Sequence, residues 1–250
     1  MKTFALSLVC SLIALFTYAQ RPVADHEKAK GGELTIQPIT HATLVLSYQG
    51  KNIYVDPTGG AAAFTGLGAP DMIILTDIHG DHFDAKTIDA INTNHAVIVV
   101  PQAVADKLPA TTDKSKLVIL KNGDKTTQLA IAIEAIPMYN LPESATAMHT
   151  KGRGNGYVLT IGGKNIYISG DTADIPEMRN LKNIDIAFVC MNLPYTMDVA
   201  TAAKGVLAFK PKVVYPYHYR GQDVNQFKAL VNAGDANIDV RLREWYPAAK

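Results

Sequence analysis

The chain has 250 residues, 48% of them hydrophobic, and 24 basic against 23 acidic side chains give a formal charge of +1. That length and apolar share can bury a full core in one domain or a closely fused pair. A balanced charge with no basic block argues against a nucleic-acid surface and leaves room for a positive patch on the scale of a small substrate.

Residues 1–19 stand apart. Lys2 supplies a positive start, Phe4 to Phe16 is almost wholly apolar, and Thr17-Tyr18-Ala19 offers small residues where a signal peptidase reads. These features predict cleavage after Ala19, a mature chain starting at Gln20, and a periplasmic or secreted protein. No later apolar run is long enough to span a bilayer. Residues 20–32 are polar and rich in Lys, Glu and Gly, which predicts a flexible leader before one domain over 33–250. With residues 1–19 removed, Cys190 is the only cysteine, so no intramolecular disulfide can form.

Within the domain, Val45 to Val55 reads as two strands joined by a tight turn at Gln49-Gly50. His41 ends a strand before it, and Asp56, ahead of Pro57, ends the strand after it. Met72-Ile73-Ile74-Leu75 is a short buried strand. It hands over to Thr76-Asp77-Ile78-His79-Gly80-Asp81-His82-Phe83-Asp84, which holds four potential metal ligands in six positions. An extended backbone would turn the alternating Asp77, His79 and Asp81 to one side, with His82 reaching in from the turn. Imidazoles with carboxylates suit zinc and its borderline neighbours, and this density suits more than one ion. A helical pattern follows over Ala85 to Ile91.

The second half repeats the first. Val45 to Val55 returns as Val158 to Ile168, Asp71 to Leu75 as Asp185 to Val189, and Val99-Val100-Pro101 as Val214-Tyr215-Pro216. A helical pattern over Val199 to Phe209 answers the one at Ala85. Three matched segments in one order make duplication a better account than chance. Two such halves can pack sheet against sheet with helices outside, an α/β four-layer αβ/βα sandwich whose ligands meet at one edge.

Three further ligand candidates sit just past predicted strand ends. They are His149 in a Gly-rich loop, Asp171 after Gly170, and His218 after the strand Lys212 to Tyr215 and Pro216. Lys151, Arg153 and Arg220 flank them and could hold a phosphate or carboxylate. The loop Met191 to Met197 carries no ligand beyond methionine sulfur and reads as a pocket wall, with Tyr195 able to donate to a developing oxyanion. Loops Gly59 to Pro70 and Tyr139 to Met148 are expected to line the rest. Cys190 reads as core packing, and His26 and His95 take no role.

At Asp77-Ile78-His79-Gly80-Asp81-His82 the chain resembles the metallo-β-lactamase fold superfamily, whose signature is H-x-H-x-D-H, with Asp77 where the first histidine stands. It is most similar to small metal-dependent hydrolases related to the ascorbate-phosphate lactonases and the N-acyl-phosphatidylethanolamine phospholipases D. His41-Ala42-Thr43, Asp56-Pro57, Gly152 to Tyr157, Gly170-Asp171-Thr172 and Pro216-Tyr217-His218 agree with it. The resemblance implies the same sandwich. It also implies a first metal site of Asp77, His79 and His149 and a second of Asp81, His82 and His218, with Asp171 bridging. Asp56 would orient the ligand loop and fix a histidine ring; His41 would stand behind the ligands or face substrate. Zn2+ is the expected cofactor, in one or two copies. The harder Asp77 carboxylate opens the first site to Mn2+ or Fe2+.

These readings converge on an exported metal-dependent hydrolase acting on a small, potentially anionic molecule. A metal-bound hydroxide, oriented by Asp81, would attack an ester, lactone or phosphodiester. The resemblance favours phosphoesters and lactones over β-lactams, because the first histidine is missing and fold alone does not fix substrate. The alternative is a non-catalytic periplasmic metal-binding or sensing protein that kept the fold and lost its chemistry through Asp77. Nothing in the sequence fixes the oligomeric state.

Overall fold

The computed structural model describes residues 21–91 and 96–246; the expected signal peptide and His95 lie outside them. In chain order the strands of the first half are β1 (Asp25–Ala29), β2 (Gly32–Thr40), β3 (Thr43–Tyr48), β4 (Lys51–Val55), β5 (Met72–Ile74), β6 (Val97–Val100) and β7 (Leu117–Ile119). Helices α1 (Ala85–Ala90) and α2 (Gln102–Ala105) fall between them. The second half runs β8 (Lys125–Gln128), β9 (Ile131–Met138), β10 (Gly154–Ile161), β11 (Lys164–Ile168), α3 (Pro176–Arg179) and β12 (Ile186–Cys190). It closes with α4 (Val199–Phe209), β13 (Val213–Tyr217), α5 (Val224–Gly234) and β14 (Asp239–Val240). No described helix is long and apolar enough to cross a membrane.

Each half forms one seven-stranded sheet, and in both sheets the strands lie in chain order. β3–β4 and β10–β11 are antiparallel hairpins, and each passes into parallel neighbours, β5 and β12. Both hairpin turns have two residues at positive φ, 48° and 74° at Gln49-Gly50 and 55° and 77° at Gly162-Gly163. Such turns match the right-handed twist of the strands they join. The duplication reaches individual hydrogen bonds. Asn52 N donates to Asp71 Oδ2 at 2.9 Å as Asn165 N does to Asp185 Oδ2 at 2.8 Å.

Side-chain alternation explains the layers. Ile36, Leu44, Leu46, Ile53, Val55, Met72 and Ile74 face the second sheet and join its Ile133, Leu159, Ile166 and Ile168 in one core. Their strand neighbours Val45, Tyr54, Ile73, Leu75 and Ile98 face the other way, under Ile88 of α1 and Val104 of α2. On the opposite side α4 buries Ala202, Val206 and Phe209 and α5 buries Phe227 and Val231. Asp84, Asp198 and Asp223 cap α1, α4 and α5 by accepting from first-turn backbone N–H groups. The result is the four-layer αβ/βα sandwich of the metallo-β-lactamase type.

Two expectations need correction. The segment read as a flexible leader carries β1, paired antiparallel with β2 from Asp25 opposite Ile36 to Ala29 opposite Gly32. Its acidic side chains hold it in place, Glu27 lying 2.6 Å from Arg241 and 3.3 Å from Lys164, and Asp25 bridging Arg243 and the Tyr215 hydroxyl. The strand after α4 also continues through Pro216 to Tyr217. β14 pairs only with Val213 and Val214, so at Pro216 one side of β13 has no ladder for a missing N–H to break.

Candidate metal centre

The ligand loop leaves β5 at the sheet edge and turns at once. His82 N and Phe83 N both donate to His79 O, at 3.0 and 2.8 Å. The loop is therefore bent, not extended, and its acids part company: Asp77 is fully buried, whereas the Asp81 side chain is 43% exposed. Gly154 of β10 passes so close that a Cβ there would lie 2.8 Å from Thr76 O. That approach brings the second half's loops onto the first half's ligands.

Potential ligand atoms gather in three sets, each within 4.8 Å: Asp77, His79 and His149; His82, Asp171 and His218; and His41, Asp81 and His218. In the first, His79 Nδ1 lies 2.7 Å from Asp77 Oδ2 and 3.2 Å from His149 Nε2. In the second, Asp171 Oδ2 is 3.2 Å from His82 Nε2 and its Oδ1 3.2 Å from His218 Nε2. Asp171 Oδ2 also reaches His149 Nε2 at 3.1 Å, so this carboxylate lies between the first two sets. His218 Nε2 is 3.4 Å from Asp81 Oδ2.

Neighbouring groups aim the rings. The fully buried Asp56 accepts from Thr76 N at 2.8 Å, Thr76 Oγ1 at 2.6 Å and His82 Nδ1 at 2.8 Å. His82 Nε2 therefore points to Asp171. His149 Nδ1 faces only oxygens, Asn140 Oδ1 and Tyr195 O, both at 3.2 Å, so it donates and leaves the Nε2 lone pair for the cluster. His41 stacks on His218 with ring centroids 3.7 Å apart and lies 2.9 Å from Asp81 Oδ2 through Nε2. Its Nδ1 is 2.5 Å from the Tyr246 hydroxyl, which in turn accepts from Arg220 N at 3.0 Å. His41, Asp56 and His218 all sit at positive φ, 52°, 44° and 50°. Non-glycine residues held there concentrate at functional sites.

The electrostatics favour cations. Burial opposes charge on Asp171, yet His82 and His218 beside it hold the carboxyl well below its usual range. Burial likewise opposes Asp81 and Asp77, and hydrogen bonds from His218 and His41 to the one, and from His79 to the other, keep both low. His82 is lifted well above its ordinary value against its burial by Asp171 and Asp56. Asp171 Oδ1 and His218 Nδ1 are buried with no hydrogen-bond partner among the described residues. Ionised carboxylates and imidazole nitrogens facing one another across about 3 Å are a donor set for divalent ions. The residues present fit such ions.

A cleft of about 460 Å³ opens over these groups, lined also by Met148, Asn192, Leu193, Pro194, Tyr195 and Arg220. The wall expected from Met191 to Met197 is thus present, and Tyr195 and Arg220 face the cleft. Lys151 does not: it lies 3.0 Å from Glu143 and 3.5 Å from Glu177, with its ammonium over the Tyr139 ring. Arg153 turns inward to Asp77 instead of out to a substrate. Gly59 to Pro70 does not line the cleft either, because Phe64 stacks on Tyr54 and Gly60 N is held by Thr87 Oγ1. Sequence reasoning missed Asn140 and Tyr246. Asn140 carried a signal, a polar side chain two residues past a buried strand end; Tyr246 carried none.

Known proteins similar to this chain fall in one family. The family model described as beta-lactamase superfamily domain matches residues 35–218. A metal-dependent hydrolase of Staphylococcus saprophyticus is 29% identical, covering 79% of this chain and 93% of its own length. A metal-dependent hydrolase of Pyrococcus abyssi is 31% identical, covering 72% of this chain and 85% of its own. The crystal structure of a candidate metal-dependent hydrolase from Parabacteroides distasonis superposes with a TM-score of 0.79 at 41% identity, over 91% of this chain and 99% of that one. The chain belongs to the beta-lactamase superfamily and is a metal-dependent hydrolase within it.

Proposed function

We propose that the two ligand sets joined by Asp171 hold divalent ions, zinc foremost, with manganese or iron as the other candidates. The exported protein uses them to hydrolyse a small ester, lactone or phosphodiester. The observation that carries this reading is the convergence of His149 Nε2, His79 Nδ1, His82 Nε2, His218 Nε2 and the Asp171 oxygens beneath an open cleft. Bound ions would supply an activated water near neutral pH and positive charge for a developing oxyanion. Asp81, ionised and 43% exposed, would orient that water. With the Tyr246 hydroxyl donating to Nδ1, His41 keeps its Nε2–H on Asp81, which leaves the outer face of the carboxylate free to accept.

The cleft also supports a reading of the substrate. Met148, Leu193 and Tyr195, 48%, 49% and 46% exposed, line the cleft together with Arg220. A molecule that carries both an apolar group and an anionic one suits that lining. Storage sites enclose their ions; His79 and Asp81 are 31% and 43% exposed, which favours catalysis over storage or sensing.

The test is turnover by the purified mature protein, loaded in turn with zinc, manganese and iron, on aryl phosphodiesters, aryl esters and lactones. Hydrolysis that a chelator abolishes and the metal restores is expected. Tight metal retention with no turnover on any class would favour the binding protein. Mass spectrometry of the exported chain should find Gln20 at its start.

A further inference from the structure

Asp77 is the one position where the ligand loop departs from the superfamily signature, and Arg153 meets it there. The guanidinium donates from Nε and Nη2 to Asp77 Oδ1, at 3.2 and 3.1 Å, and from Nη2 to Oδ2 at 3.0 Å. Asp77 is fully buried and the Arg153 side chain is 21% exposed, so the pair is little screened by water. Arg153 does not line the cleft, so its charge is directed at Asp77 and not at a substrate.

We propose that Asp77 and Arg153 work as one unit in place of the missing imidazole, the guanidinium cancelling the carboxylate's charge. The inference rests on the reading that the Asp77 set takes an ion. Three carboxylates, Asp77, Asp81 and Asp171, with one guanidinium leave two net negative charges. A site with a neutral histidine at position 77 would carry the same two from Asp81 and Asp171 alone. The first ligand set thus keeps the charge that an imidazole would give, with Oδ2 still turned to His79 and His149.

The consequence is that position 77 cannot be returned to the signature by itself. Asp77→His would leave an uncancelled guanidinium beside the ion, and like charges at such range in a half-buried site should weaken binding roughly tenfold or more. Removing the guanidinium as well should restore it.

The experiment measures Zn2+ affinity by competition with a chromophoric chelator, and ions per chain by elemental analysis, on wild type, Asp77→His, Asp77→His with Arg153→Met, and Asp77→His with Arg153→Lys. Asp77→His should lose roughly tenfold or more at one ion, the Met double variant should return to within about threefold of wild type, and the Lys double variant should stay weak because it keeps the charge. Thermal melting of each metal-free variant checks the fold. If the histidine variants do not fold, the near-isosteric Asp77→Asn, with and without Arg153→Met, gives the same comparison. Asp77→His binding as tightly as wild type, or Met and Lys double variants behaving alike, would overturn the proposal. Asp77→Ala with unchanged ion count and affinity would instead remove the reading on which it rests.

Discussion

The two halves of the molecule end the same strands in different chemistry. Val55 pairs with Ile74 as Ile168 pairs with Phe188, so Asp56 and Thr76 in the first half stand where Ser169 and Cys190 stand in the second. Asp56 takes three hydrogen bonds, two from Thr76 and one from His82. Ser169 accepts one from Cys190 N at 3.1 Å and donates to Gly170 O at 2.8 Å. The same backbone junction is closed by a buried charge in one half and by a neutral hydroxyl in the other. Burial pushes the Asp56 carboxyl up, a strain the second half avoids. The charge is kept where a histidine must be aimed, and is absent where the following loop only forms a wall.

The largest effect should come from breaking that difference. His82→Ala should abolish hydrolysis and loosen an ion. Asp56→Asn should lower metal affinity about 10–100-fold through the misdirected ring. Ser169→Ala should cost about 1 kcal/mol of stability and leave metal content unchanged. Equal metal loss from Asp56→Asn and Ser169→Ala, measured by elemental analysis, would end the comparison.

A second effect is visible on removing metal. In the metal-free protein Asp171 and Asp56 lift His82 well above its ordinary 6.5 despite burial. The fold then keeps a proton that the unfolded chain releases. This contribution is complete below the unfolded pKa and lost as pH rises through the folded one. The depressed carboxyls of Asp81 and Asp171 work in the other window, their contribution complete above the ordinary 3.8 and lost as pH falls through their lower folded values. An ion held by His82 would displace that proton. Chelated protein should therefore lose melting temperature from neutral toward alkaline pH more steeply than loaded protein. Parallel curves would show that His82 takes no ion.

The smallest effect tests the neutral half. Burial pushes the Cys190 thiol up to about 12, so the native protein should resist aromatic disulfide reagents near neutral pH and react only on unfolding. Rapid labelling of folded protein would place the thiol at an accessible site instead of in the core.

What the sequence made legible, and what it hid, follows the same division between local and distant causes. The hairpins, β12 and α4 were readable because period and turn residues act within a few positions, and the ligand loop because its donors are dense. β1 was not, since beside its ladder with β2 it is held by ion pairs whose partners Arg241 and Arg243 lie far along the chain. The Arg153–Asp77 contact spans 76 positions and the Tyr246–His41 contact 205, beyond any local pattern. The split of Asp77 from Asp81 depended on a turn at His79 that alternation alone could not show.

The proposed centre has one ion site at Asp77, His79 and His149 and another at Asp81, His82 and His218, with Asp171 between them. Anomalous diffraction from crystals grown with zinc or manganese tests it directly. One peak is expected among Asp77, His79 and His149, and a second among His82, Asp171 and His218 with Asp81 beside it. Peaks on other residues, or none in crystals of protein that elemental analysis shows to be loaded, would contradict it.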